Sequence, residues 1–478
     1  NVIAWKVLGA ILASTGRLSE AENINRRVVS LSPIDPEAYF NLGLNYQKLS
    51  NLKQAEENYR LSIELRPNHA RSYSHLGIIL KNLEKFDEAE LFFKKAIDLE
   101  PKLPEPYDNL GNLFNQLGRL DEAELVYRKA INLNPKNSFS YNNLSVTLKN
   151  LGKLDEAEAS LKKALALDPN RADVYNNLGV VLLEMGRLDA AESNCKKALV
   201  LEPHHPPILN TLGVIYKQKG EFGEAEAFIK KALKINPDYL EGLLNLSQIL
   251  GLKNNLIEQE EMLRKVLILD SSGEALRAHV FLAINKFLRN EFKISKKHVQ
   301  ASVKIHDIKG EKFKNEQVYH DYLSSILNWH QKKSTENYEI DQQDRLYVIG
   351  ESHSLANHHL KVEYSGTNYF CEARLIPGAK QWHLGNSVQN EYKKKFENCL
   401  SAIPKKSIIL ITIGEIDCRL DGGIIRYHKR NGNVTLQETI SSTIENYLTF
   451  VDRSNTHCHH KIIIQGVPSP NLKIKNYA

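Results

Sequence analysis

The sequence has few cysteines, little net charge and no long apolar run. Its five cysteines are scattered over 478 residues, which favours a reduced, intracellular chain, so we expect a cytoplasmic location. A net charge of +6 is small for this length and makes no case for nucleic acid or for an anionic membrane. No stretch approaches the roughly 20 apolar residues of a membrane span.

Two common ligand-binding motifs are also missing. The sequence contains no phosphate-binding loop of the Walker type and no paired Cys-x-x-Cys. The run His457-Cys458-His459-His460 is the nearest approach to a metal motif, but histidines in a polar loop are more often solvated. We therefore predict no metal and no cofactor. Both ends of the chain look cut, so the sequence does not decide whether a signal peptide precedes it.

A strict period of 34 residues runs through the first half of the chain. Leucine and an Ala-Glu pair keep the same interval as proline. A period of this length indicates a stack of identical supersecondary units. The prolines that mark it are Pro33, Pro67, Pro101, Pro135, Pro169, Pro203 and Pro237.

Each unit is predicted to be a helical hairpin, as residues 104–137 illustrate. Apolar residues at helical spacing predict the first helix, and a turn follows at 117–120. The second helix is predicted to start near Asp121, which would cap it, with Glu124 completing a capping box. Pro135 ends that helix. The residues of the first helix that carry the pattern are Tyr107, Leu110, Gly111 and Phe114.

Small residues at fixed positions predict close packing of these helices. Gly111 and Ala123 would let the two helices of one hairpin approach, and Ala130 would let the next hairpin dock. Each hairpin has an apolar face that it cannot bury alone, so neighbouring hairpins must stack.

The repeated order of aromatic, Leu-Gly, aromatic, Ala, aromatic, Ala and Pro resembles the tetratricopeptide repeat. The resemblance covers roughly residues 2–273, or about eight repeats. It implies an all-α superhelical solenoid with a concave groove that holds peptides or partner helices. We therefore expect a protein or peptide partner for this part of the chain.

The position just before each Leu-Gly is not explained by packing. Asparagine is a mediocre helix former, but its amide donates and accepts hydrogen bonds at once. In tetratricopeptide arrays of the O-linked N-acetylglucosamine transferase type, a similar asparagine ladder holds peptide backbone. The alternative is a solvated polar position retained between duplicated units. The resemblance implies peptide binding by Asn41, His75, Asn109, Asn143, Asn177 and Asn245, and Thr211 occupies the remaining position.

The periodic pattern decays in the eighth unit, 240–273, where Ser247, Gln259 and Ser271 replace Gly, Ala and Pro. An amphipathic pair near 276–289 and 292–305 predicts a helical cap. A polar loop and one more helix, about 318–331, would follow. The predicted division of the chain is array 1–273, helical extension 274–331, linker 332–344 and α/β domain 345–478.

Four short apolar runs after Arg345 predict strands that alternate with helices at about 386–402 and 435–452. Strands that are apolar throughout indicate a parallel, doubly wound sheet covered on both faces. Ligands bind such sheets at the carboxyl ends of the strands. The predicted strands are 346–349, 369–371, 408–413 and 461–465.

The segments that follow these runs resemble the SGNH (GDSL-like) hydrolase family over about 345–470. Gly350-Glu351-Ser352 follows the first run, a Gly378 loop the second, and Gly414-Glu415-Ile416-Asp417-Cys418-Arg419 the third. The resemblance implies that Ser352 is a nucleophile, with the backbone N–H groups of Ser352 and Gly378 stabilising the oxyanion. Glu415, Asp417 and Arg419 would form a polar site. The implied substrate is an acylated glycan or a small acyl (acetyl) ester.

The sequence departs from that family at three points. Glu351 stands for Asp, Ile416 stands for the Asn donor, and no Asp-x-x-His follows Pro470. The alternative interpretations are a helix cap for Ser352, a turn glycine for Gly378, and a surface ion pair or cap for Asp417 and Arg419. Three functions stay open: a binding array coupled to an esterase or acyltransferase, a non-catalytic scaffold, and an accessory to a glycosyltransferase. The last is disfavoured because no nucleotide-sugar motif is recognisable.

Overall fold

The chain folds into stacked helical hairpins followed by a sheet. It divides into two compact units, 1–203 and 204–478. Most of the loop, helix and linker expected between 307 and 344 falls outside the described residues. A computed structural model of the chain describes residues 2–270, 273–289, 291–309, 327, 345–350, 361–364, 367–375, 391–411 and 436–464.

Six hairpins make up the first unit. Their helices are α1 (Val2–Ser14), α2 (Leu18–Leu31), α3 (Pro36–Lys48), α4 (Leu52–Leu65), α5 (Ala70–Asn82), α6 (Phe86–Leu99), α7 (Glu105–Gln116), α8 (Leu120–Leu133), α9 (Ser138–Asn150), α10 (Leu154–Leu167), α11 (Ala172–Glu184) and α12 (Leu188–Leu201). These boundaries follow the 34-residue period, as predicted.

Three further hairpins open the second unit. Their helices are α13 (Pro206–Lys219), α14 (Phe222–Ile235), α15 (Leu240–Leu252), α16 (Leu256–Leu269), α17 (Gly273–Leu288) and α18 (Phe292–Lys309). The last pair corresponds to the amphipathic pair expected near 276–289 and 292–305. None of the helices in the described ranges is long and apolar enough to cross a bilayer.

The turn inside each of the first eight hairpins contains one residue with positive φ. Gly118 has a φ of 74° in the predicted turn at 117–120, a conformation that costs glycine little. The predicted cap at Asp121 is wrong, because α8 begins at Leu120 and the residue before it, Arg119, makes no side-chain cap. Asp121 and Glu122 lie in the first turn instead, where negative charge favours the helix dipole.

The glycine of each Leu-Gly pair packs against the second helix of its own hairpin. A Cβ built on Gly111 would lie 2.7 Å from ring atoms of Tyr127. Ala123 and Ala130 have no exposed surface, in agreement with the close packing expected for them. The main obstacle to a larger residue at Gly111 is therefore the ring of Tyr127.

The first helices form the inner layer of each unit. Among the described hairpins, α3 contacts α5, α5 contacts α7, α7 contacts α9 and α9 contacts α11, as do α13 with α15 and α15 with α17. Second helices of successive hairpins make fewer such contacts. Because the first helices lie closer together, they line the inside of the curve that a stack of repeats forms.

The C-terminal residues contribute a five-stranded sheet. Its strands are β1 (Arg345–Gly350), β2 (Lys361–Tyr364), β3 (Thr367–Leu375), β4 (Ile408–Ile411) and β5 (Lys461–Ile464), with helices α19 (Glu391–Ala402) and α20 (Leu436–Asn455) between strands. The order is β2-β3-β1-β4-β5. Strands β3, β1, β4 and β5 are parallel, and β2 is antiparallel to β3.

Helices α19 and α20 supply most of the core beside this sheet. Phe396, Tyr447 and Phe450 are buried against Ile349 and Ile411. The edge strand β2 was not predicted, because Lys361-Val362-Glu363-Tyr364 contains no apolar run. Whether the sheet is of the SGNH type stays a prediction.

Candidate functional site

The residues before Leu-Gly lie on the inner, first-helix layer. The five asparagines and His75 are half-buried, and Thr211 is buried. A half-buried amide on the inner face is neither part of the core nor fully solvated. Such a group must satisfy some of its hydrogen bonds within the protein and keeps surface for a ligand.

Four of the asparagines donate to the preceding hairpin, three of them to the residue 35 positions earlier. The Nδ2 of Asn109 lies 3.2 Å from Ser74 Oγ, and that of Asn177 lies 2.9 Å from Asn142 Oδ1. In the second unit, Asn245 Nδ2 lies 3.0 Å from Asn210 Oδ1. Each acceptor stands 35 residues earlier. These bonds tie hairpin to hairpin, so a merely solvated position does not describe these three residues.

Asn143 donates to a different acceptor, one helical turn further along α7. Its Nδ2 lies 3.3 Å from Asn112 Oδ1, which also accepts from the Tyr127 hydroxyl at 2.7 Å. Asn115 Nδ2 donates to the same hydroxyl at 3.3 Å, and its Oδ1 accepts from Thr147 Oγ1 at 3.0 Å. Sequence reasoning missed Asn112 and Asn115. Their spacing from Asn109, three and six residues along one helix, was the available signal.

The residue that stands 35 positions before Asn143 is Asp108, a carboxylate that is already bonded through one of its oxygens. Asp108 Oδ2 accepts from Ser140 Oγ at 2.7 Å and from Asn137 Nδ2 at 3.2 Å. Burial raises the pKa of Asp108 to about 6, and the charge of Glu105 adds to the shift. Its Oδ1 is buried without a hydrogen-bond partner in the described structure. Asp108 thus places a carboxylate where Ser74, Asn142 and Asn210 place a hydroxyl or an amide.

His75 has surroundings unlike those of the asparagines, and its peptide-binding role stays a prediction. Its ring packs between Phe40 and Tyr59, with centroid distances of 5.3 and 5.6 Å. Its Nδ1 lies 3.2 Å from Gln47 Oε1, so Nδ1 carries the proton and donates. Burial lowers the pKa of His75 to about 4, which keeps the ring neutral at pH 7. Here the asparagine position belongs to a packed aromatic cluster.

At the first and sixth of these positions the hydrogen-bond acceptor is a backbone carbonyl. Asn25 Nδ2 donates to the Asn41 carbonyl at 3.4 Å, and Thr211 Oγ1 donates to the Pro207 carbonyl at 2.9 Å. The run of side-chain bonds in the first unit therefore covers Asn109, Asn143 and Asn177. We call these three residues the asparagine ladder.

An exposed aromatic ring stands beside the ladder. Phe139, in the first turn of α9, is 62% exposed, and the guanidinium of Arg171 lies 3.9 Å from its ring centroid. Arg171 is itself held by Asp173 and by Ser138 Oγ, the latter at 3.1 Å. An aromatic ring fixed by a buried arginine is a rigid apolar contact for a partner. The sequence analysis did not single it out.

The candidate catalytic residues cannot be placed. Ser352, Gly378, Glu415, Asp417 and Arg419 all lie outside the described residues. Their roles therefore stay predictions that rest on the resemblance alone.

The histidine-rich run before β5 is partly structural. His460 is buried, and its Nε2 lies 3.2 Å from the Leu400 carbonyl. Within the described ranges no three His, Cys, Asp or Glu side chains are grouped so that they could hold a metal ion.

Family comparisons identify the repeats. Residues 35–102 match the tetratricopeptide repeat model, and residues 70–280 match that of the C-terminal domain of cilia and flagella-associated protein 70. These matches confirm the predicted tetratricopeptide array. Neither extends beyond residue 280, so the SGNH resemblance of 345–470 gains no support from them. No curated protein matches the chain.

The chain is similar to parts of several solved structures. The human IFIT1 dimer with m7Gppp-AAAA is 17% identical, with a TM-score of 0.51, and the match covers 70% of this chain and 83% of that one. TTC0263 of Thermus thermophilus is 28% identical over 38% of this chain and 98% of its own, with a TM-score of 0.34. YrrB, described as having an unusual peptide-binding site, is 25% identical over 40% and 97%, with a TM-score of 0.33.

Proposed function

We propose that this tetratricopeptide-repeat protein binds an extended segment of a partner protein along the inner layer of its first unit. The observation that carries the proposal is the ladder of Asn109, Asn143 and Asn177, which recurs once per hairpin. One N–H of each amide donates to another helix and so holds the side chain in place. An extended backbone offers one donor and one acceptor per residue, which matches a row of amides.

The geometry favours backbone recognition over recognition of one side chain. Each amide is half-buried and keeps a second N–H and its oxygen for a ligand, as far as the described structure goes. A single such hydrogen bond stabilises a complex by about 0.5–1.5 kcal/mol, so several are needed for useful affinity. The exposed ring of Phe139 beside the ladder offers an apolar contact to the same segment.

The test is a triple variant, Asn109→Ala, Asn143→Ala and Asn177→Ala, in the full chain. A random displayed library of 12-residue peptides is selected on the wild type, and the best peptides are titrated against both proteins. We expect at least a tenfold loss of affinity from the loss of two or three hydrogen bonds. Asn194→Ala is the matched control, because Asn194 donates to a carbonyl of its own second helix.

Thermal melting separates a binding defect from unfolding. The ladder also ties hairpins together, so the triple variant is compared with the wild type at a temperature where both are folded. A folded triple variant that binds the selected peptides as tightly as the wild type would rule out the ladder as the peptide-binding element. Failure to select any peptide would count against the proposed function itself.

A second candidate function concerns the C-terminal sheet. We propose that this part acts on an acylated glycan or a small ester, with Ser352 attacking the acyl carbon and a hydroxyl leaving; water or another hydroxyl then takes the acyl group. Support comes from the parallel pairing of β1 with β4, in which Ile349 lies opposite Ile411. The carboxyl ends of both strands lie on the same side of the sheet, and parallel sheets bind ligands on that side. The motifs that follow them in sequence contain Ser352 and Glu415.

A non-catalytic scaffold agrees equally well with the described residues. Isoleucine at 416 removes one expected oxyanion donor, and such a loss typically lowers the rate about 10²–10³-fold. The test measures hydrolysis of p-nitrophenyl acetate by the wild type and by Ser352→Ala, with Ser401→Ala on α19 as the control. Absent turnover, or turnover that Ser352→Ala leaves unchanged, would favour the scaffold.

A further inference from the structure

A cavity of about 540 Å³ opens beside the last asparagine of the repeat pattern, within the second unit. It is lined by residues of α15 and α17 and by the turn before α15. Its volume lies in the range of about 300–1,000 Å³ that is usual for ligand pockets. The cavity is thus large enough for one long side chain together with the backbone that carries it.

Helix α15 forms the floor of the cavity, and hydrogen bonds to α13 hold its polar side chains in place. Leu244 is 5% exposed, and Asn245 and Gln248 are half-buried beside it. Asn245 Nδ2 donates to Asn210 Oδ1 at 3.0 Å, and Lys217 Nζ donates to Gln248 Oε1 at 2.9 Å. Both amide groups are therefore oriented before any ligand arrives, as in the asparagine ladder.

The walls of the cavity carry an excess of negative charge. Asp238 and Glu241 are exposed at one side, and the Tyr239 hydroxyl donates to Glu241 at 3.0 Å. On α17, Glu274 and Arg277 form an ion pair of 3.2 Å. Three carboxylates thus face one guanidinium, and that guanidinium already has a carboxylate partner.

We propose that this cavity binds a lysine or arginine side chain of a peptide segment that lies along the second unit. This inference rests on the proposed function, since Asn245 and Gln248 would hold the backbone on either side of the basic residue. The apolar stem of lysine or arginine would lie along Leu244 and the Tyr239 ring, with the charged end among the carboxylates. Charge-assisted hydrogen bonds of this kind are about twice as strong as neutral ones.

The carboxylates that line the cavity disfavour an acidic side chain of the peptide. It would meet Asp238, Glu241 and Glu274, and it would have to compete with Glu274 for Arg277. Removing the competing cation should therefore strengthen binding of a basic residue. Replacing the carboxylates should weaken it.

The experiment uses the full chain and peptides selected from a random 12-residue library. Each selected peptide with a recurrent basic residue is compared with the same peptide carrying norleucine at that position. We expect the wild type to prefer the basic peptide about tenfold. The variant Glu241→Gln with Glu274→Gln should lose that preference, and Arg277→Gln should increase it.

A matched control is Glu261→Gln, an exposed glutamate of α16 that is paired with Lys265 and does not line the cavity. It should leave the preference unchanged. Selected peptides without a recurrent basic residue, or a preference that persists in the double variant, would overturn the inference and leave the proposed function standing. A library that yields no binding peptide would overturn both.

Discussion

The hairpin array and the C-terminal sheet bury their apolar residues through contacts that span different separations along the sequence. In the array, Gly111 packs on Tyr127 of the same hairpin, and Asn109 reaches only the preceding hairpin. In the sheet, β1 pairs with β4, although α19 and two other strands lie between them in sequence. Near-neighbour contacts repeat with the sequence period, whereas sheet contacts depend on the whole domain being assembled.

This difference in sequence separation predicts different responses to a destabilising substitution. A repeat array is stabilised by each hairpin and its neighbours, so a local defect should remain local. A sheet whose strands and helices share one core should unfold as a unit.

The largest effect is expected for Phe396→Ala on α19. Phe396 has no exposed surface and packs in the core formed with Ile349, Tyr447 and Phe450. Truncating a buried phenylalanine typically costs about 3–5 kcal/mol of stability. We expect hydrogen exchange to accelerate together in all five strands. Loss of protection confined to α19 would show that the sheet does not unfold cooperatively.

A smaller and local effect is expected for Gly111→Val. The new side chain would enter space filled by the Tyr127 ring, and overpacking of this kind costs about 1–3 kcal/mol. Hydrogen exchange should accelerate in α7, α8 and the adjoining hairpins only. Gly223→Ala is the control, because a Cβ there meets nothing within 4 Å and alanine is the better helix former. Equal loss of protection along all hairpins would contradict the local picture.

The smallest effect is a pH dependence of the hairpin of α17 and α18. His279 Nδ1 lies 3.0 Å from His298 Nδ1, so one ring donates to the other. Burial lowers the pKa of both rings, that of His298 to about 4, with Lys286 and Arg264 lowering it further and Glu260 opposing them. Below about pH 6.5 the unfolded chain binds protons more readily than the folded one, so stability falls from there toward pH 4.

We expect this histidine pair to lower stability by about 1 kcal/mol between pH 7.5 and pH 5, after allowance for its partial exposure. The measurement is hydrogen exchange of α17 and α18 at the two pH values, corrected for intrinsic rates. His298→Gln should reduce the difference. An unchanged difference in His298→Gln would assign the pH dependence to other groups.

Local patterns made much of the array predictable. The helix boundaries followed the proline period, and the small residues packed where they were expected to. The capping box failed, because Asp121 and Glu124 have the right spacing but the helix starts at Leu120, and a cap depends on backbone angles that spacing does not reveal. Strand β2 was missed because an edge strand needs no apolar run.

The asparagine positions were found from sequence, but their partners were not. Nothing in the spacing distinguishes Asn143, which turns to Asn112, from Asn109, which bonds Ser74. The residue 35 positions before Asn143 is Asp108, which is bonded to Ser140 and Asn137 instead. His75 shares the sequence position and yet packs among aromatic rings, because neighbouring side chains decide its environment.

By itself, the sequence determined a tetratricopeptide array with one polar position per hairpin on a single helix face, since helical periodicity and a 34-residue repeat are properties of the chain alone. Tertiary structure decided which groups those polar residues bond, which ring Gly111 must accommodate, and that Asn245 and Gln248 form the floor of a cavity with acidic walls. Those outcomes depend on distances between side chains of different helices. Such distances exist only once the hairpins have stacked.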